Sequence, residues 1–211
     1  MLGPPGVGKG TQGARLSQAL GVPSVSTGAL LRSLIASGED TPLVREARQI
    51  LSGAFVSDDF ANALAFSAIE GEAGFVLDGY PRSVAQAEAL ERFLAERGQV
   101  LDCVLFFQLS EAALEARVLG RRVCGTCGAT YHIVVAPPCQ EGLCDRCGGV
   151  LGLRVEDDAP QKRALRRQLY QAQTAPLCAF YQERGVLREI EAEGDPDAIF
   201  KKVCESLPRL I

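Results

Sequence analysis

Gly3-Pro4-Pro5-Gly6-Val7-Gly8-Lys9-Gly10-Thr11 contains Gly-x-x-x-x-Gly-Lys, the core of a phosphate-binding loop. Backbone N–H groups of such a loop wrap a polyphosphate, and glycines let the main chain come close. Lys9 reaches toward the β- and γ-phosphates, and a helix starting here aims its positive end at the same anion. A hydroxyl residue normally follows the lysine and holds Mg²⁺; here Gly10 stands there and Thr11 follows one place later. The alternative is a glycine-rich loop with an accidental lysine. Such a loop normally follows a buried parallel strand of five or six residues, yet only Met1 and Leu2 precede Gly3. The expectation is a mis-assigned start or a truncation, with the first strand largely missing.

Outward from the loop, helix and strand signals alternate. Residues 10–20 read as a helix ended by Gly21, followed by an apolar stretch at 22–25. Ser26-Thr27-Gly28 opens a second helix, Thr41-Pro42 a third that runs to about 51, and Ser57 caps a fourth over 58–70. Phe75-Val76-Leu77 is a short buried strand that delivers Asp78 to a sheet edge. A helix follows over 83–97, a strand at Val104-Leu105-Phe106-Phe107, and a helix from Ser110 to about 120. Residues 121–157 break the pattern. A long helix over 159–184, a strand at 186–190 and a closing helix at 195–207 complete the chain. This alternation predicts an α/β fold with a doubly wound parallel sheet.

Composition fits one domain of 211 residues, with 47% hydrophobic residues for its core. No apolar run approaches the roughly 20 residues of a membrane span, and the chain opens directly on the loop, so a cytoplasmic protein is expected. A net charge of -4 argues against nucleic-acid binding. Arg outnumbers Lys, and guanidinium groups grip phosphate in planar, bidentate fashion. A small polyanionic ligand suits that balance.

Segment 121–157 holds Cys124-x-x-Cys127 and Cys144-x-x-Cys147, sixteen residues apart. Two such knuckles bring four thiolates onto tetrahedral Zn²⁺ in a closed, structural site. Two disulfides or a redox pair are the alternatives, and Cys139 is a competing ligand by position. Cys103, Cys178 and Cys204 lie in apolar contexts and read as small core residues. His132, the one histidine, reads as a structural hydrogen-bonding residue rather than a ligand. In Phe75-Val76-Leu77-Asp78-Gly79-Tyr80-Pro81-Arg82-Ser83-Val84-Ala85-Gln86, Asp78 can organise Mg²⁺ and its waters near the loop. Arg82 can hold a second phosphate, and the Gln86 amide suits a base edge. A plain strand and Gly-Tyr-Pro turn is the alternative.

Together these residues resemble the adenylate kinases, in the bacterial form with a zinc-bearing lid. The resemblance rests on Gly6-Val7-Gly8-Lys9-Gly10-Thr11, on Phe75 to Gln86, on Ser26-Thr27-Gly28 with Arg32, on Gly120-Arg121-Arg122 and on Thr174-Ala175-Pro176. It spans nearly the whole chain. It implies reversible transfer of the terminal phosphoryl group from ATP to AMP, giving two ADP, by a monomer that uses Mg²⁺ with ATP and structural Zn²⁺. It implies a nucleoside-monophosphate lobe at 26–55 and a lid at 120–157. ATP would lie on Gly6, Val7, Gly8, Lys9, Gly10, Thr11, Arg117 and Arg121. AMP would lie on Thr27, Arg32, Phe55, Val56, Gly79, Arg82 and Gln86. Lys9, Asp78, Arg82, Arg121, Arg154 and Arg166 would act on the transferring group, and Tyr80–Pro81 would be cis. Ala29 stands where the family usually carries Asp, and Arg154-Val155-Glu156-Asp157-Asp158 is one residue out of register with its Arg-x-Asp-Asp. A kinase for another nucleoside monophosphate and a non-catalytic ATP-binding zinc protein are the alternatives.

The missing nucleophile agrees with this chemistry. Phosphoryl transfer is mostly positioning and charge stabilisation, so converging arginines matter more than a general base.

Overall fold

A computed structural model describes residues 1–36, 41–51, 57–153 and 160–207. Its first helix, α1 (Lys9–Leu20), starts directly behind Gly8 and ends on a left-handed Gly21 whose N–H returns to Ser17 O. The helices α2 (Thr27–Ala36), α3 (Pro42–Leu51), α4 (Asp58–Ile69), α5 (Val84–Ala95) and α6 (Glu111–Gly120) follow, with strands β1 (Ser24–Ser26), β2 (Val76–Asp78) and β3 (Val104–Gln108) between them. Local chemistry sets most of the starts. Ser57, Ser83 and Ser110 accept hydrogen bonds from Phe60, Gln86 and Ala113 N–H, and Thr41 accepts from Val44 N–H. Each cap satisfies an orphan donor and is worth about 1 kcal/mol.

The sheet is parallel. β1 pairs β2 with Val25 opposite Leu77, and β3 pairs β7 (Leu187–Glu191) with Phe107 opposite Ile190. Between the two pairs lie Met1 and Leu2. Leu2 N–H donates to Leu105 O at 2.8 Å and Leu2 O accepts from Phe107 N–H at 2.9 Å, while the Met1 amino group donates to Leu77 O at 2.8 Å. The order is therefore β1–β2–Leu2–β3–β7. Met1 and Leu2 stand in the central lane.

Side chains leave the sheet on both faces, as a doubly wound fold requires. Val76, Leu105, Phe107 and Ile190 pack with Leu16 of α1 and with Ile199 and Val203 of α9 (Pro196–Ser206). Leu77, next to Val76, points the other way, into Val25, Ala61, Ala65, Ile69, Leu90 and Leu94. Leu2 and Val104 pack with Ala87, Leu177 and Tyr181. Burying each such aliphatic side chain contributes about 1.5–3 kcal/mol.

One expectation needs correction. The helix read over 159–184 is three pieces: α7 (Pro160–Leu169), a π-helical turn at Tyr170–Thr174, and α8 (Pro176–Glu183). Pro176 has no N–H to continue an α-helical ladder, and Ala175 N–H reaches back to Tyr170 O at 2.9 Å, the wide π spacing. The segment after residue 120, whose glycines suit the tight turns of a zinc ribbon, folds a small antiparallel sheet. Its strands are β4 (Arg121–Cys124), β5 (Thr130–His132) and β6 (Leu151–Gly152), in the order β5–β4–β6. Among the described residues no helix is long and apolar enough to cross a membrane.

Candidate nucleotide site and four-cysteine cluster

The glycine loop lies where the central lane of the sheet ends. Gly8 has φ 104, a left-handed value open to glycine, and the next residue is already helical. Lys9 Nζ donates to Gly3 O at 2.7 Å and Pro4 O at 3.0 Å, so the lysine folds over its own loop. Gly10 faces Asp78 from the neighbouring strand: a Cβ at residue 10 would stand 3.3 Å from Asp78 Oδ2. The glycine in the usual hydroxyl place therefore has a steric meaning, since it keeps the loop's helix clear of this carboxylate.

Beyond Asp78 the chain turns sharply through Gly79 and a cis Tyr80–Pro81 peptide. Gly79 O accepts from Thr27 Oγ1 at 3.0 Å and from Arg82 Nε at 2.7 Å. Thr27, Gly79 and Arg82 are thus one unit, tying the start of α2 to the end of β2. Arg82 O accepts from Thr174 Oγ1 at 3.0 Å, so the π-helical turn abuts the same unit. Gln86 lies in the first turn of α5 and is 5% exposed. Its Oε1 accepts from Arg82 N–H and its Nε2 donates to Asp58 Oδ1, both at 2.7 Å. The Arg32 guanidinium lies close to Gly28 at the head of α2.

Arg117 of α6 braces the loop from the other side. It donates to Val7 O at 2.8 Å, Ala192 O at 2.6 Å and Gly194 O at 3.1 Å, and burial lowers its pKa. Arg121 opens β4 opposite His132. Phe55, Val56 and Arg154 lie outside the described residues, and Arg166 belongs to α7 with its side chain outside the description.

Sequence reasoning missed an adjoining cleft. A cavity of ≈ 700 Å³ begins at Arg117 and is walled by Leu109, Leu119, Ile133, Val134 and Val135. Ile133 and Val134 are 53% and 74% exposed, and with Leu119 and Val135 on the same wall they make an apolar patch of the kind that faces a ligand or a partner. His132 shapes this wall. Its Nδ1 accepts from Val134 and Val135 N–H at 3.1 and 3.2 Å, so Nε2 carries the proton and donates to Ala116 O at 3.3 Å. The ring is a hydrogen-bonding hub. The signal available in the sequence was the apolar triplet at 133–135 inside a polar, glycine-rich segment.

The four cysteines converge. The Sγ atoms of Cys124, Cys127, Cys144 and Cys147 all lie within 4.8 Å of one another, with the pairs Cys124–Cys147 and Cys127–Cys144 at 3.5 Å. A tetrahedron with metal–sulfur bonds of about 2.3 Å puts its sulfurs about 3.8 Å apart, so the donor set fits a metal. None of the eight cysteines is in a disulfide. Cys139 stands outside the cluster, its N–H donating to Asp145 Oδ1. Electrostatics point the same way. The Tyr131 hydroxyl, with the Arg146 and Cys147 N–H groups, draws Cys144 down to about 6. At Cys147 the Gly149 N–H works downward, but the crowding sulfurs of Cys127, Cys124 and Cys144 outweigh it and push the thiol up to about 12. So many sulfurs cannot all shed their protons at neutral pH without a cation among them.

A family model described as "Adenylate kinase" matches residues 1–186. An adenylate kinase of Symbiobacterium thermophilum is 43% identical over 211 residues, covering 98% of this chain and 96% of that protein. Adenylate kinases of Geobacillus sp. (strain WCH70) and of Thermodesulfovibrio yellowstonii are each 41% identical, covering 98% and 99% of this chain and 96% and 97% of their own lengths.

Proposed function

The chain belongs to the adenylate kinase family, and from that premise we propose how its own residues divide the work of moving a phosphoryl group. The reaction is reversible transfer of the terminal phosphoryl group of ATP to AMP, giving two ADP. One observation carries the division of labour: the glycine loop and the Asp78-Gly79-Arg82 turn meet at one sheet edge, with Asp78 Oδ2 facing Gly10. A donor held on the loop and an acceptor held on the turn would then face each other across a short gap. Aligning them supplies much of the catalysis, because the transition state needs positioning and charge neutralisation rather than a covalent partner.

ATP lies with its phosphates on the loop from Gly6 to Thr11 and its base in the cleft beside Arg117. Apolar walls of that size suit a purine. On binding, Lys9 exchanges the Gly3 and Pro4 carbonyls for phosphoryl oxygens. Asp78 would order the waters of the Mg²⁺ that accompanies ATP. AMP lies against α2, with Thr27 and Arg32 on one side and Arg82 and Gln86 on the other. Arg121, Arg154 and Arg166 complete the charge around the transferring group. Residues 26–55 form the AMP lobe and 120–157 the lid, which excludes water from a phosphoryl group it could otherwise consume. The four thiolates would hold Zn²⁺, which would tie the lid's small sheet together where a small lobe cannot build a core of its own. Free cysteines throughout the chain suit a reducing compartment, and we read the protein as a cytoplasmic monomer.

The test is a coupled assay of ADP formation from ATP, with and without AMP. Strict AMP dependence is expected. Lys9→Ala and Arg82→Ala each lower kcat/KM by about a hundredfold or more, the usual loss when a charge-stabilising group is removed. ADP production that ignores AMP, or a Lys9→Ala variant of unchanged rate, overturns this reading.

A further inference from the structure

Gln86 is fixed at four atoms. Its N–H donates to Ser83 Oγ at 3.2 Å and its backbone carbonyl accepts from Tyr80 Oη at 3.1 Å. Its side-chain amide is held at both ends, Oε1 by Arg82 N–H and Nε2 by Asp58 Oδ1. The orientation of that amide follows from the partners. A backbone N–H can only donate and an ionised carboxylate can only accept, so oxygen faces Arg82 and nitrogen faces Asp58. Asp58 is itself set in place, because the Ser83 hydroxyl donates to it at 3.3 Å and it sits in the first turn of α4.

We propose that Asp58 is a specificity-determining positioning residue, which sets the polarity of the Gln86 amide and thereby favours adenine over guanine in the acceptor nucleotide. The inference rests on the reading of Gln86 as a contact to the acceptor's base. An amide has two N–H groups and two lone pairs. One of each is taken by Asp58 and Arg82, which leaves one donor and one acceptor in a fixed order. Adenine presents a ring-nitrogen acceptor beside an amino donor. Guanine presents the reverse, a ring N–H donor beside a carbonyl acceptor. A glutamine free to turn over could match either edge. One pinned by a carboxylate matches one and opposes the other, and unmatched buried polar groups discriminate strongly. Tyr80 contributes to the rigidity, since its hydroxyl, whose one proton is shared between the two partners, also lies 2.7 Å from Asn62 Oδ1 on α4.

The experiment measures kcat/KM with AMP and with GMP as acceptors, in the full-length metal-loaded protein. Asp58→Ala is expected to cut the AMP-over-GMP ratio by about tenfold or more, mainly through a raised KM for AMP, with the KM for ATP unchanged. Asp58→Asn, whose amide oxygen can still accept from Nε2, restores most of the preference. A ratio is insensitive to the fraction of protein folded, so mere destabilisation does not mimic the effect. Asp58→Ser, with a side chain too short to reach the amide, serves if the alanine variant does not fold. In a Gln86→Ala background the Asp58 substitution should change the ratio no further. An unchanged ratio in Asp58→Ala, or an equal loss in both backgrounds, overturns the role of Asp58. A Gln86→Ala variant that keeps the wild-type ratio overturns the reading of Gln86 itself, and the proposal with it.

Discussion

At residue 10 two effects of opposite sign meet. Replacing glycine by alanine inside a helix gains about 1 kcal/mol of propensity. The added Cβ would also stand 3.3 Å from Asp78 Oδ2, tighter than an ordinary contact. The first effect acts on stability and the second on the spacing between loop and carboxylate. Gly10→Ala is therefore expected to keep or raise the unfolding midpoint, while kcat/KM falls about tenfold or more, the kind of loss that follows misplacement of a reacting group. Thermal unfolding and steady-state rates on one preparation check both halves, and an undiminished rate refutes the steric argument. The same comparison explains why Gly10 could be noticed in the sequence yet not understood there. Its neighbour, Asp78, is brought in by strand pairing rather than by chain proximity.

Among the elements, the four-cysteine sheet makes the sharpest prediction. The Tyr131 hydroxyl favours the Cys144 thiolate, whereas the crowding sulfurs favour the protonated thiol at Cys147. Zinc must displace whatever protons remain, so adding Zn²⁺ to stripped protein in weak buffer at pH 7 should acidify the solution. The sign fixes the pH dependence. Protons compete with metal for the thiolates, so affinity falls as pH falls, the more steeply once Cys144 too has regained its proton. Native mass spectrometry should find one Zn²⁺ per chain, and a chelator should lower the melting temperature. Uptake without proton release argues against thiolate ligation. The cysteine spacing made this cluster readable, because two tight knuckles are local geometry. Helix starts were readable for the same reason: Ser57, Ser83 and Ser110 cap within three residues. The break at 170–175 was not, although Pro176 was in view. Helical periodicity persists through the segment, and the π turn also meets a distant partner, Arg82 O. The cleft beside Arg117 was unreadable as well, since residues 109–120, 132–135 and 193–195 become its walls only in three dimensions.

Across the whole molecule, the sheet divides into β1–β2 and β3–β7. Met1 and Leu2 join the halves through three main-chain hydrogen bonds. The β1–β2 half leads to Thr27, Asp78 and Gly79, and the β3–β7 half leads to the helix that braces the loop through Arg117. That join is a seam in the main chain alone, since Val76 of one half shares a core with Leu105, Phe107 and Ile190 of the other. In hydrogen exchange, the Leu2 and Phe107 amides, which span it, should open at lower free energy than the paired amides between β3 and β7. Equal protection on both would show that the sheet opens as one unit. A seam of this kind also separates two clocks. As temperature rises, alignment of donor and acceptor should slip when the two halves part, while helix content still registers as native. Activity would then fade some degrees before circular dichroism does, and return on cooling. The protein's working limit would be set by the registration of its halves rather than by the melting of either.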